Sequence, residues 1–449
     1  AKDGGERDNS DTRDWRLMQR IGFTPNDTDE YSLTYSRQEA EKGVPPYAGN
    51  AAGVTPRYWR YPQWDRQSVY LNTRTALSAA VTLKNRLFWD QYRNTLDSFD
   101  DATYSSQTRR YAFHSIYDDY SYGGVSQVDY ELCDATTLRS AFYFKDDVHR
   151  EHNSGEPVRE DKDRTMSLAL EGTQRLAQDW ELTVGGRYDH RQSLLAEDYN
   201  STTRAISDFA TDSVDAWNGQ LNLAYHVSAT STLHATYART SRLPTLKDRY
   251  SYRLGTALPN PALEAETADN YEIGYRGKPM DNLEVETALF YSDVQDTIQS
   301  VSLTPSLTQM QNVGKSRVMG WEAGAKANLC ETVDVGGTYT LLDRENRSDS
   351  SIKLTDTPDH KVQAYMAWRP LAKLEIRPSL QYETGRYTTS DGARETDSFV
   401  VWNLMARYEV CPGASLQVGV ENIGDEPYEY EEGYPEAGRT YYARFEYAF

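Results

Sequence analysis

Five sets of side chains in this sequence are of types that can do chemistry. His149-Arg150-Glu151-His152 places two imidazoles three residues apart, a spacing that can hold a metal when a helix carries it. Residues 425–436 carry Asp425, Glu426, Glu429, Glu431, Glu432 and Glu436 without a single base, and clustered carboxylates suit Ca²⁺. Residues 43–65 hold Tyr47, Tyr58, Trp59, Tyr61 and Trp64, flat rings that capture aromatic or macrocyclic ligands with little entropy cost. Residues 242–253 set Arg242, Lys247, Arg249 and Arg253 against one acid, Asp248, and would draw an anionic metal chelate or a lipid phosphate. Cys133, Cys330 and Cys411 each sit beside a predicted turn, in three different hairpins, too far apart for disulfides. The competing reading of every one of these sets is a solvated loop, girdle or turn residue. The sequence holds no G-x-S-x-G elbow and no phosphate-cradling glycine loop, so an enzyme is disfavoured.

The elements that must carry these residues are strands. Trp180, Leu182, Val184 and Tyr188 alternate with Glu181, Thr183, Arg187 and Asp189. Leu283, Val285, Leu289 and Tyr291 alternate with polar neighbours, as do Tyr31, Leu33, Tyr35 and Leu416, Val418, Val420. Period two means a strand with one apolar face. Short breaks recur roughly every 40–55 residues, at Pro25-Asn26-Asp27, Ser78-Ala79-Ala80, Asp134-Ala135, Ala177-Gln178-Asp179, Ser228-Ala229-Thr230, Lys278-Pro279-Met280-Asp281, Asn328-Leu329, Pro370-Leu371-Ala372 and Pro412-Gly413. Longer polar segments lie between them. Nine short turns, each joining two strands, and one final strand to Phe449 predict about 19 strands.

The 449 residues carry 48 basic and 68 acidic side chains, a net charge of −20, which disfavours nucleic-acid binding. The 34 Tyr and 9 Trp argue against disorder. No apolar run is long enough for a spanning helix. A propeller blade needs four strands per repeat, and each repeat here supplies two. Alternating short turns and long loops, one apolar strand face and abundant interfacial aromatics predict an all-β fold, a transmembrane antiparallel β-barrel. Leu233, Ala235 and Tyr237 are then expected to face lipid. Thr232, His234, Thr236, Glu284, Glu286, Arg187 and Arg444 are expected to face the lumen. A soluble β-rich protein would instead put polar residues on the exposed strand faces.

Motifs now add a resemblance. The last strand carries Tyr441, Phe445, Tyr447 and Phe449 at alternate positions, like the C-terminal assembly signal of outer-membrane barrels. Asn422-Ile423-Gly424-Asp425 with Tyr428, then Gly433-Tyr434-Pro435 and Gly438-Arg439, resembles the C-terminal signature of TonB-dependent receptors. Arg242-Leu243-Pro244-Thr245-Leu246 resembles that family's R-x-P-x-L segment. Asn260-Pro261-Ala262-Leu263 through Glu266, with Asn270-Tyr271-Glu272-Ile273-Gly274-Tyr275, resembles its N-P-x-L block, with Ala265 in place of the usual proline. Asn312-Val313-Gly314 with Arg317, Gly320 and Glu322 resembles a further strand, and Thr357-Pro358-Asp359-His360-Lys361 a strand entry. Each motif is weak alone; in family order over residues 240–449 they are specific.

The resemblance implies a bacterial outer-membrane receptor for energy-coupled uptake of a scarce nutrient, a ferric siderophore first, with cobalamin or haem as alternatives and a passive porin as the competitor. It implies coupling to the TonB–ExbB–ExbD system, contact with outer-membrane lipid and lipopolysaccharide, insertion by the barrel assembly machinery, a monomer, and no cofactor beyond possible loop Ca²⁺. Family barrels have 22 strands around an N-terminal plug. Residues 1–449 are therefore expected to be a single barrel domain without plug, coupling box or first strands.

Overall fold

The computed structural model describes residues 7–109 and 111–448. Twenty strands join in one sheet by antiparallel ladders. It opens with β1 (Thr12–Phe23), β2 (Glu30–Val44), β3 (Tyr58–Ala76) and β4 (Val81–Phe99). It continues with β5 (Phe113–Cys133), β6 (Thr136–Asn153), β7 (Arg159–Ala177) and β8 (Trp180–Asn200). Ala205–Asp208 pairs with the end of β8 as a side hairpin. Eleven further staves run from Ser213–Ser228 to Thr440–Tyr447, so nineteen staves form the wall. Each pairs with its sequence neighbour, and the short turns fall at or beside the breaks in the alternation, the largest offset being at Asn328-Leu329, which lies inside a strand that turns at Glu331-Thr332. Asp134-Ala135 joins β5 to β6, and Pro412-Gly413 joins Phe399–Cys411 to Ala414–Glu421.

The wall is inside out compared with a water-soluble core. Ile273, Leu289, Trp217 and Phe445 are 67%, 62%, 71% and 67% exposed, and all stand on the outward face. Leu233 and Tyr237 are exposed on that face too, as alternation predicts. The soluble alternative required polar residues there. Outward rings pair across strands, Trp180 with Tyr225 near the short turns and Tyr188 with Trp217 higher up, each 4.7 Å between centroids. Such rings belong at a membrane interface. Tyr441, Phe445 and Tyr447 are exposed on the last strand; Phe449 lies outside the described residues. Cys133, Cys330 and Cys411 are exposed free thiols, each at a short-turn end.

The wall is not of even height. β3 to β8 run 18–21 residues, whereas the last two strands have 8 each. About 9–11 residues cross a bilayer, so the tall side projects well beyond it. Among the described residues no ladder joins β1 to Thr440–Tyr447. Loops meet across this seam instead. The Tyr47 hydroxyl donates to Glu432 at 2.9 Å, and the Ala48 amide donates to the Gly433 carbonyl at 2.8 Å. Tyr47 also packs edge-on to Tyr434, and Arg7 donates to the Pro435 carbonyl. Gly433 has φ +80°, and a methyl group there would overlap the Tyr47 ring.

The long loops are themselves stapled. Leu263, Ile298 and Met310 form a small buried apolar cluster beneath a three-stranded sheet of Ala257–Leu258, Leu307–Asn312 and Ile298–Thr304. Asn260 donates to the Met310 carbonyl and Asn312 to the Asp296 carbonyl. In the β4–β5 loop Asp100 is buried. It accepts from the amides of Arg109 and Thr108 and the hydroxyls of Thr108 and Ser106. Burial works against its ionisation, but these donors outweigh it and hold the carboxyl well below the usual carboxylate range.

Two outcomes follow. Gly433→Ala should cost more than about 1 kcal/mol of local stability, because φ is positive and the methyl meets a ring. Amide exchange should then quicken in residues 45–57 and 422–439 and stay unchanged in β5 to β8. For Asp100 the folded pKa is depressed, so its stabilisation is complete above the unfolded value of about 4 and is lost as pH falls below it. Exchange protection of residues 100–109 should fall progressively as pH drops below about 4, the unfolded value, and Asp100→Asn should abolish that dependence. Protection that is flat with pH in the unsubstituted chain would refute it.

Candidate functional site

The tall side of the wall encloses a cavity of about 1190 Å³ that opens toward the long-loop end. Strand alternation alone would split its aromatic wall. Trp59 and Tyr61 are odd-numbered, whereas Trp64, Arg66, Ser68 and Tyr70 are even. The β3–β4 register shifts between Arg60 and Gln63, at Pro62. A bulge inserts one residue and reverses the facing, and a proline fits there because it has no ladder donor to lose. All six side chains therefore line the same cavity. Tyr61 packs edge-on to Trp64 at 4.8 Å, and Trp64 meets Tyr92 of β4 at 5.1 Å. Tyr117 of β5 completes the wall.

The opposite lip comes from the segment that follows Ser231–Arg242. Thr245 caps a one-turn helix, α1 (Leu246–Tyr250), with a reciprocal bond to Asp248. Pro244 is buried, and its carbonyl accepts from Arg191 of β8. This anchoring leaves Lys247 exposed at the cavity, with Arg253 beside it. Lys247 makes no ion pair among the described residues. Arg253 stands 3.9 Å from Asp248 and donates to the Met310 sulfur. In contrast, Lys145 with Asp147 and Arg191 with Asp163 are charge pairs within the cavity wall. Rings along one wall, with Lys247 and the loosely paired Arg253 along the other, can hold a flat, anionic ligand.

The sequence-predicted residues divide accordingly. Trp59, Tyr61, Trp64 and Arg253 converge on the cavity. Tyr58, Trp59, Tyr61 and Trp64 belong to β3 and not to a loop, and Tyr58 packs against Tyr104 instead. Tyr47 is buried in the seam contact. Arg242 donates to the Ile298 carbonyl and lies 3.6 Å from Asp248. Arg249 is 1% exposed, bound to Asp163, Ser193 and the Tyr250 hydroxyl, so it holds the loop and is not open to a ligand.

The predicted metal sets do not assemble among the described residues. Asp425 accepts from the Arg439 amide, Glu429 from the Gly433 amide and Glu432 from Tyr47. Glu426 enters through its own amide, bonded to Asn422. Burial, followed by the charge of Asp356, pushes the Glu431 carboxyl up. Asp425, Glu429 and Glu432 are therefore separate tethers. His149 and His152 lie on β6, not in a loop. His149 lines the cavity between Asp119 at 2.8 Å and Glu151 at 3.1 Å, and an odd interval of three along a strand turns His152 to the other face.

Tyr92, Tyr117, Tyr70 and Arg66 are not among the expected residues, whereas Lys247 and His149 are, His149 for a metal and not for this cavity. Alternation within β4 and β5 could have supplied the first two, but pairing them with β3 needs the register. Arg249→Ala should leave Asp163 and its neighbours short of a buried partner and cost about 3–5 kcal/mol. The expected signature is loss of exchange protection in residues 243–256, not a selective loss of ligand contacts; unchanged protection would show that Arg249 is no staple.

The family model described as "TonB dependent receptor-like, beta-barrel" matches residues 3–423. The probable TonB-dependent siderophore receptor PiuA of Acinetobacter baumannii is 25% identical over 291 residues, 60% of this chain and 38% of its own length. The probable TonB-dependent receptor BfrD of Bordetella pertussis is 25% identical over 318 residues, 67% of this chain and 41% of its own. The chain thus spans about two fifths of these relatives. Among solved structures, the copper transporter OprC superposes with a TM-score of 0.83 at 18% identity, covering 98% of this chain and 72% of that one. The siderophore receptor PiuA from Acinetobacter baumannii superposes with a TM-score of 0.78 at 14% identity, covering 100% and 76%. The alternation, the nineteen-stave wall, the ordered motifs and the family match agree: this chain belongs to the TonB-dependent receptor-like β-barrel family of the bacterial outer membrane.

Proposed function

We propose that this chain forms the barrel of a receptor for energy-coupled uptake of a scarce nutrient, first of all a ferric siderophore, driven by the TonB–ExbB–ExbD system. The observation that carries the reading is the cavity at the long-loop end, where Trp59, Tyr61 and Trp64 face Lys247 and Arg253. Ferric siderophores with catecholate or carboxylate donors are bulky, partly aromatic and anionic. Rings give such a ligand contact area, and Lys247, which makes no ion pair among the described residues, gives it charge. The relatives named for siderophores support the same ligand class. Among the described residues no ladder joins β1 to the last strand, which supports a larger barrel, since an open edge in lipid leaves backbone groups unsatisfied. The apolar outer belt supports contact with outer-membrane lipid, and the outward rings of the last strand support insertion by the barrel assembly machinery as a monomer.

The test is equilibrium binding to the full-length receptor of four probes: a ferric tris-catecholate, a ferric trihydroxamate, haem and cobalamin. A ferric chelate should bind, and Trp64→Ala should weaken it about five- to thirtyfold, the loss expected for a central aromatic anchor. Binding of haem or cobalamin alone would move the assignment to that ligand. Ion conductance with no binding of any probe would point to a passive channel and overturn the receptor reading.

A further inference from the structure

Four cations on the inner wall of β2 to β4 make no ion pair among the described residues: Lys42, Arg66, Arg86 and Arg74. Three of them rest on aromatic rings. The Lys42 ammonium is 3.2 Å from the Trp64 ring centre. The Arg66 guanidinium is 5.3 Å from that of Tyr92, and the Arg86 guanidinium 4.8 Å from that of Tyr70. Arg66, Tyr70 and Arg74 share one face of β3 at even positions, and eight residues at about 3.3 Å each separate the two arginines by roughly 26 Å along the strand.

This ladder joins two cavities. Tyr70 lines the upper one described above. Arg86, resting on that same ring, lines a second cavity of about 260 Å³ near the short turns, together with Arg74. The neighbouring cations Lys84 and Arg20 are cancelled by Asp129 and Glu30, so the open positive charge follows the ladder. Carboxylates also stand near it: Asp90 accepts from the Tyr70 hydroxyl at 2.6 Å, and Asp119, Asp147 and Asp163 line the same upper cavity, each with a basic partner in His149, Lys145 or Arg191. The far side of the lumen is mixed in charge, where Glu284 and Glu286 line a separate cavity together with Lys326 and Arg377.

We propose that this ladder is a track for polyanions, which passes an anion from the upper cavity toward the short-turn end of the lumen. Its physiological cargo rests on the receptor reading; its anion chemistry does not. A ring holds a cation without neutralising it, so each rung keeps its field. Several modest sites in series let an anion enter and still leave, as conduction requires.

The probe is pyrene-1,3,6,8-tetrasulfonate, an aromatic tetraanion, titrated into the folded full-length protein in detergent and read by fluorescence anisotropy. The unsubstituted protein should bind it, and Arg66→Gln with Arg86→Gln should weaken binding about tenfold or more, the sum of two cation contacts. Arg66→Lys with Arg86→Lys should restore it to within about threefold, because charge is kept. Glu284→Gln with Glu286→Gln should bind like the unsubstituted protein. Heat-modifiable electrophoretic mobility checks folding. If the glutamine pair fails to fold, Arg74→Gln takes its place, with a loss of about threefold expected. Absence of probe binding, equal binding by the glutamine variants, or equal loss in the lysine pair would overturn the track. The ferric-chelate assay judges the receptor reading separately. A chelate that binds while the tetrasulfonate ignores the ladder removes the track alone, and the reverse pattern removes the siderophore assignment alone.

Discussion

The fold depends on one constraint: a backbone in hydrocarbon has only itself for a hydrogen-bond partner. Every stave here pairs with its sequence neighbour, and the nine short turns spend only a few residues on each reversal. Such pairing fixes the pleat, and the pleat fixes which side chain faces which solvent. Apolar residues go out to lipid because nothing else is outside. The lumen and the long loops are then the places left for polar chemistry, and the cavity and the cation ladder lie there.

That constraint ends where the strands leave the bilayer, and a second kind of stabilisation begins. The loops have little apolar surface to bury beyond Leu263, Ile298 and Met310. They are held by side-chain amides and carboxylates that satisfy backbone groups: Asn260, Asn312, Asn346, Asp100 and Glu266. Several motif residues that mark the family are among these staples. Leu263 fills the loop core, and Gly314 takes φ +83° beside Ser348, where a side chain would collide. The buried tyrosines at the seam and in the last loop show the same economy. Burial pushes the Tyr428 hydroxyl up to about 12, so it stays neutral and costs less to bury than a charge.

This division explains what could be read from residues alone. Alternation and turn spacing are local properties, so the strand number and all nine short turns were legible. The motifs were legible because staples must be particular residues at particular spacings. The cavity was only half legible. Trp59 and Trp64 have opposite parity, and only the bulge at Pro62 unites them. Arg249 and Arg253 are four residues apart in one basic segment, yet one is buried on Asp163 and the other lines the cavity. The acidic loop could be read as a Ca²⁺ site because spacing cannot reveal that Asp425, Glu429 and Glu432 are each engaged by a different donor. Tertiary register decides these cases, and a linear pattern does not contain it.

The choice of partner for each lumen cation is the last consequence. The chain carries a net charge of −20, so carboxylates are abundant. Lys145, Arg139, Arg187 and Arg369 each have one nearby. Lys42, Arg66 and Arg86 rest on rings instead. A carboxylate would hold such a cation more firmly, but it would cancel the charge that a passing anion senses. A ring offers a weaker attraction, on the order of 0.5–2 kcal/mol, and leaves the field intact. In a chain with twenty surplus negative charges, keeping three inner-wall cations away from carboxylates requires particular neighbours at particular registers, and Trp64, Tyr92 and Tyr70 are those neighbours.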